Sequence, residues 1–249
     1  MKTAAALLFP DVLATSVTLP MELLQAASQL ASTRKRGQPQ VHTLLAGPDR
    51  RAVRLASGVR LLPDIPVDAL PALDLLILPA IWRNPLPTLH AAEPLLPMLR
   101  DYARSGTCIC SVGTSSYLLA EAGLLDGRPA TTHWHFFDRF RERYPQVNLK
   151  TRHLITQSDN IYCVGSVNSI ADLMVHLVED WFGSRIARAV ENQFSPEIRQ
   201  PFRDAAWQDA PLTSHHDEAV LEAQQYLQDN LENPVRVSEL AAHLGLSTR

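Results

Sequence analysis

Apolar and polar positions along the chain alternate between two kinds of pattern. An unbroken apolar run at 3–9 (TAAALLF) predicts a strand buried on both faces, 41–47 (VHTLLAG) reads as a strand, 73–80 (LDLLILPA) as a central strand, and 107–113 (TCICSVG) as another buried one. Helical spacing marks Leu19–Ala31, 89–106, 114–123 and 168–183. Gly106 and Gly123 stop two of these helices, and Pro97 is expected to bend or interrupt the second. Pro10 ends the first strand. Two further strand pairs are expected, one folded about Gly58 in 52–64 and one about Ser158-Asp159-Asn160 in 153–166. This order of strands and helices predicts an α/β fold with a doubly wound, mostly parallel sheet.

The pattern changes after Asn192. Residues 193–216 hold prolines and polar residues with weak periodicity and are expected to be a linker or irregular extension. Helical spacing returns from Asp217, where Val220, Ala223, Leu227 and Leu231 form one stripe, until Asn233-Pro234 breaks it. Ser238 is expected to cap a short helix with Glu239 in its first turn and Gly245 past its end. The expected organisation is therefore 1–192, linker 193–216, and a helical segment 217–249.

Composition narrows the choices. The chain has 249 residues, 46% of them hydrophobic, and a formal net charge of −3. That is enough apolar material for a substantial core, and nothing in the overall charge points to nucleic acid. Cys108, Cys110 and Cys163 have no metal-binding spacing and form no disulfide framework, which fits a reducing cytosol. No metal or cofactor is expected. The apolar start of the chain reads as a strand, and no run is long enough to span a membrane.

The stretch CSVGTSSYLLAEAGLLDGRPATTHW (110–134) carries candidate chemistry. A buried strand runs through a tight turn into a helix. Such an elbow exposes its turn residue at the carboxyl end of a sheet and aims backbone N–H groups at that place. The same spacing also fits an ordinary strand-to-helix crossover made tight by a glycine.

LLAEAGLLDGRPATTHW resembles a signature of PfpI-like, class I glutamine amidotransferase-like domains, which have a flavodoxin-like sheet and precede AraC-type DNA-binding domains. LLFPDVLATSVTLPMELL, LDLLILPA and GSVNSIADLMVHLVEDWFG add weaker similarity in the right order, so the resemblance spans about residues 2–192. It implies a cysteine nucleophile at the elbow, but alignment on Leu119-Ala120 puts Gly113 there, then Thr114, with Ser115 where glycine is usual. The acidic partner of that cysteine would fall near Ser16. Glycine cannot attack a carbonyl and serine is no carboxylate. Cys110, three residues upstream, is expected to be a buried small hydrophobe. No catalytic residue is therefore assigned. His133 is the best candidate base, or else pairs with Trp134 to pack the turn. The expected remainder is a pocket for a small polar or anionic effector at Ser16, Gly113, Thr114, Ser115, Ser116 and His133.

Residues 217–249 resemble the opening of an AraC-type DNA-binding domain. Leu240 and Ala241 match its L-A pair, Gly245 its turn, Leu246 a core plug and Ser247 the cap of the next helix. The resemblance places the recognition helix and a second helix-turn-helix beyond Arg249. This segment has six acidic residues and only two basic ones, so the chain as it stands is expected to bind DNA poorly. The function implied is a DNA-binding, effector-sensing transcription regulator that works as a homodimer. The alternatives are a PfpI-like hydrolase, hydratase or amidase, and a purely structural interaction domain.

Overall fold

The computed structural model describes residues 1–33, 40–194, 206–208 and 236–244. It divides into two units, residues 1–209 and 210–249. In the first unit an eight-stranded sheet is crossed by helices. Its elements in chain order are β1 (Lys2–Leu7), α1 (Ala14–Ser32), β2 (Val41–Gly47), β3 (Val53–Arg54), β4 (Arg60–Leu61), β5 (Ile65–Pro66), β6 (Leu75–Leu78), α2 (Leu86–Ala91), α3 (Leu96–Arg104), β7 (Cys108–Val112), α4 (Ser116–Glu121), β8 (Pro129–Ala130), α5 (Phe137–Arg143), β9 (Asn148–Leu149), β10 (Ile155–Ser158), β11 (Ile161–Val164), α6 (Ile170–Phe182), α7 (Ser184–Phe194) and β12 (Ala206–Gln208).

The main sheet has the order β12-β10-β11-β7-β6-β1-β2-β5. Strands β11, β7, β6, β1, β2 and β5 run parallel, and β10 turns back antiparallel to β11. The central strands carry no exposed residue. Ala4, Ala5 and Ala6 of β1 and all four residues of β6 are fully buried, as expected where helices cover both faces. The connection β1–α1–β2 moves along the sheet in one direction and β6–α3–β7 in the other. Right-handed crossovers therefore put α1 and α3 on opposite faces. Helices α1, α6 and α7 pack together, as do α3 and α4. The reversal point lies between β1 and β6, so the crevice above their carboxyl ends is the natural ligand position.

Several boundaries differ from the sequence expectation. Helix α1 begins five residues before Leu19 and continues through Pro20, which lacks the N–H that would bond the Ser16 carbonyl. The helix expected over 89–106 is two helices. The break falls at the Glu93–Leu95 3-10 turn, around Pro94, while Pro97 sits in the first turn of α3, where a missing N–H costs nothing. Within the span expected to be a linker, Ala206–Gln208 pairs with β10 as the edge strand β12.

The second unit contributes one described helix, α8 (Val237–His243). Its cap differs from the expectation. The Glu239 carboxylate accepts the Arg236 N–H at 3.3 Å, and Ser238 lies inside the first turn. Ala241 is buried and Leu240 half-buried. Gly245, Leu246, Ser247 and the helix expected over 217–231 lie outside the described residues.

Candidate functional site

Strand β7 ends at Val112, and the chain turns through Gly113 at φ +55° into a 3-10 turn, Gly113–Ser115, that leads to α4. A side chain at that φ is strained, which is the physical reason for glycine here. Space is not the reason, because a Cβ built on Gly113 would meet only Ala80 Cβ at 3.5 Å and His133 Cβ at 3.8 Å. The elbow backbone is thus kept, with room for a side chain, and carries none.

The hydroxyls expected around the elbow divide into two groups. Ser115 Oγ accepts the Val112 N–H at 2.9 Å and donates to Leu78 O at 2.6 Å, tying the turn to β6. Ser16 Oγ donates to Leu13 O at 2.7 Å and accepts the Ala80 N–H at 2.9 Å, tying the start of α1 to the loop after β6. Both are fully buried and neither borders the cavity above the elbow. They brace the site without touching its contents. Ser116 Oγ is buried with no hydrogen-bond partner among the described residues, also off the cavity wall. Gly113, Thr114 and His133 do line it. Thr114 Oγ1 donates to Ile81 O at 2.6 Å. His133 Nδ1 accepts the His135 N–H at 3.4 Å, and burial, with the His135 imidazole beside it, holds His133 below the usual imidazole pKa. It is neutral at pH 7.

The cavity has a volume of about 720 Å³. Sequence reasoning missed most of its character. Trp82, Arg83 and Asn84 enter from the loop after β6, and Trp134, Phe136 and Arg139 from the segment after the elbow. Trp82 and Trp134 are 52% and 69% exposed and stand at the mouth. Arg139 is placed by its neighbours. Phe136 and Phe140 are buried, and Tyr117 of α4 packs edge-on against both at 6.4 and 5.0 Å, which leaves Arg139 turned towards the cavity. No carboxylate lines the cavity, and neither Arg83 nor Arg139 makes an ion pair among the described residues. Two guanidiniums, two imidazoles and three aromatic side chains line it, a set whose chemistry suits an anion with a flat or apolar body. Position alone signals Trp82, Arg83 and Asn84, which follow the carboxyl end of β6 at the sheet's reversal point; Trp134, Phe136 and Arg139 come from the segment after β8 and have no such signal.

The loops on either side are fastened. Val12 and Ile81 form an antiparallel bridge, Leu13 N–H donates to Ala80 O at 2.8 Å, and Trp82 N–H donates to Asp11 O at 2.9 Å. Asp11 and Arg83, at the two ends of this ribbon, adopt φ +63° and +61°, which non-glycine residues rarely do.

Cys110 is fully buried on β7, and burial raises its thiol far above the usual value, so no thiolate is available. Among the described residues no cluster of His, Cys, Asp or Glu could hold a metal ion, and no helix is long and apolar enough to cross a membrane.

Over residues 2–180 the sequence matches the model of the DJ-1/PfpI family. The chain belongs to the DJ-1/PfpI family. Within and beyond that family it is similar to the HTH-type transcriptional regulator GbdR of Pseudomonas aeruginosa, 29% identical over 240 residues that cover 94% of this chain and 62% of that protein. The chain thus spans about six-tenths of this regulator's length. The crystal structure of an AraC family transcriptional regulator from Pseudomonas putida superposes with a TM-score of 0.65 at 25% identity, covering 78% of this chain and all of that one (100%). Isonitrile hydratase of Pseudomonas putida is 26% identical over 236 residues, covering 95% of this chain and 94% of the enzyme. DJ-1/PfpI proteins therefore include both regulators and an enzyme similar to this chain.

Proposed function

We propose that this chain is the sensing portion of an AraC-type transcription regulator. Its DJ-1/PfpI domain binds a small organic anion without transforming it, and the helical segment at 217–249 belongs to the DNA-reading part. The observation that carries the reading is Gly113. The elbow holds its strained backbone, yet the nucleophile position is bare and its acidic partner is a serine already committed to two backbone groups. A cavity with unpaired arginines survives where a reaction centre would be. DNA is the partner of the whole protein, two copies of which would read two half-sites from the cytosol.

Calorimetric titration of small carboxylates into the chain tests this. A member of the panel binds saturably, and Arg139→Ala weakens it about 10- to 100-fold, the cost of one charge-assisted hydrogen bond of about 1.5–3 kcal/mol. Binding unaffected by Arg139→Ala would move the ligand elsewhere.

The full-length likeness to isonitrile hydratase favours a second reading, an enzyme. Turnover of an isonitrile or amide by the chain, lost in Cys110→Ser, would establish it in place of the first.

A further inference from the structure

The connection from β1 to α1 has a cavity on its other side as well. It has a volume of about 390 Å³, within the range of about 300–1,000 Å³ that small-molecule sites occupy. The carboxyl ends of β1 and β2 form its floor, and α2 and the turn after it form its roof. Leu7, Leu8, Phe9, Ala46 and Ala92 present an almost wholly buried apolar interior, none more than 6% exposed. Asp11 is the one charged residue that lines it. Its carboxylate is exposed and makes no ion pair or hydrogen bond among the described residues. Its backbone is pinned on both sides. The N–H donates to Arg54 O at 3.4 Å, and the carbonyl accepts the Trp82 N–H at 2.9 Å. An exposed carboxylate on a pinned backbone, unpaired among the described residues, therefore borders an apolar chamber.

The geometry points to a second ligand site, for a small organic amine. The ammonium group sits against the Asp11 carboxylate at the rim, where water still reaches part of it, and the hydrocarbon body fills the chamber. An ionised donor–acceptor pair gives the stronger kind of hydrogen bond, and burial of the body adds affinity without direction. The site is electrically opposite to the elbow cavity, which contains arginines and no carboxylate. The assignment does not depend on what the elbow cavity binds.

Benzylamine, benzyl alcohol and benzoate, which share a ring and differ in charge, serve as probes in calorimetry and NMR titration of the chain. Benzylamine binds saturably and at least ten-fold more tightly than benzyl alcohol, and benzoate gives no shifts at this cavity. Asp11→Asn removes the preference for the amine, because asparagine tolerates φ +63° but has no charge. Ala91→Trp, at an exposed position of α2 on the cavity wall, blocks amine and alcohol alike while circular dichroism and melting temperature stay unchanged. The assignment is overturned if benzylamine does not bind, if the folded Asp11→Asn protein keeps the ten-fold preference, or if Ala91→Trp leaves binding intact.

Discussion

Gly113 combines a left-handed backbone with free space beside it, and these have different consequences. Gly113→Cys fits without collision but places a β-carbon at φ +55°, which costs about 1–2 kcal/mol of stability, read from urea unfolding. The new thiol gains no hydrolytic turnover, because Ser16 cannot supply the missing charge. His133 is the residue whose charge responds to an anion in the cavity. Burial lowers its folded-state pKa, so it is neutral in the free protein near pH 7 and charges only as pH falls below the ordinary imidazole value. A bound anion favours the charged form and raises that pKa. Affinity for the anion therefore increases on going from pH 7 towards pH 5.5, with proton uptake on binding. Calorimetry in two buffers of different ionisation enthalpy detects it, and flat affinity across that range would remove His133 from contact with the anion.

Among the elements, α5 has the most direct bearing on the site. Phe140 is fully buried beneath Tyr117, and Phe140→Ala leaves a hole that costs about 3–5 kcal/mol in chemical denaturation. Because the same packing orients Arg139, the variant also binds the anion more weakly where it remains folded. Legibility in the sequence follows from how each element is stabilised. The run at 73–80 is readable because a strand buried among neighbours, as Leu75–Leu78 is, is apolar throughout. The pairs about Gly58 and about Ser158–Asn160 were readable because their turn residues punctuate alternation. The interruption in 89–106 was misplaced because two prolines, Pro94 and Pro97, compete, and only geometry says which one begins a helix. Strand β12 is three residues long and draws its stability from the edge of β10, a distant partner that no local pattern announces. Within the site, Gly113 stood out because a missing side chain is visible in an alignment. The buried hydroxyls of Ser16 and Ser115 were assigned to a ligand because their actual partners, backbone groups at Ala80 and Leu78, lie more than 30 residues away. Trp82 and Arg83 lie in a loop and Arg139 in the seven-residue helix α5, both too short in pattern for periodicity to point to a site.

At the scale of the molecule, a ligand that binds only the folded state stabilises it by about 2.7 kcal/mol at a concentration 100-fold above Kd. For a domain of this size the melting temperature rises by about 5–10 °C. A thermal scan with the anion identified by titration shows that rise in the parent chain and a smaller one in Arg139→Ala. The α/β unit keeps its core beneath the carboxyl edge of the sheet and the charged, aromatic residues of its elbow cavity above it. Changes in ligand preference can therefore accumulate in the loops with little cost to the sheet.

The ribbon joining Val12 to Ile81 is a party wall. Asp11 belongs to the chamber on one side, and Trp82 and Arg83 to the chamber on the other, and the hydrogen bond from Trp82 to Asp11 ties the two together. An occupant that displaced this wall from one room would alter the room next door. Thermodynamics requires the influence to be equal in both directions, so each tenant changes the hold on its neighbour by the same factor.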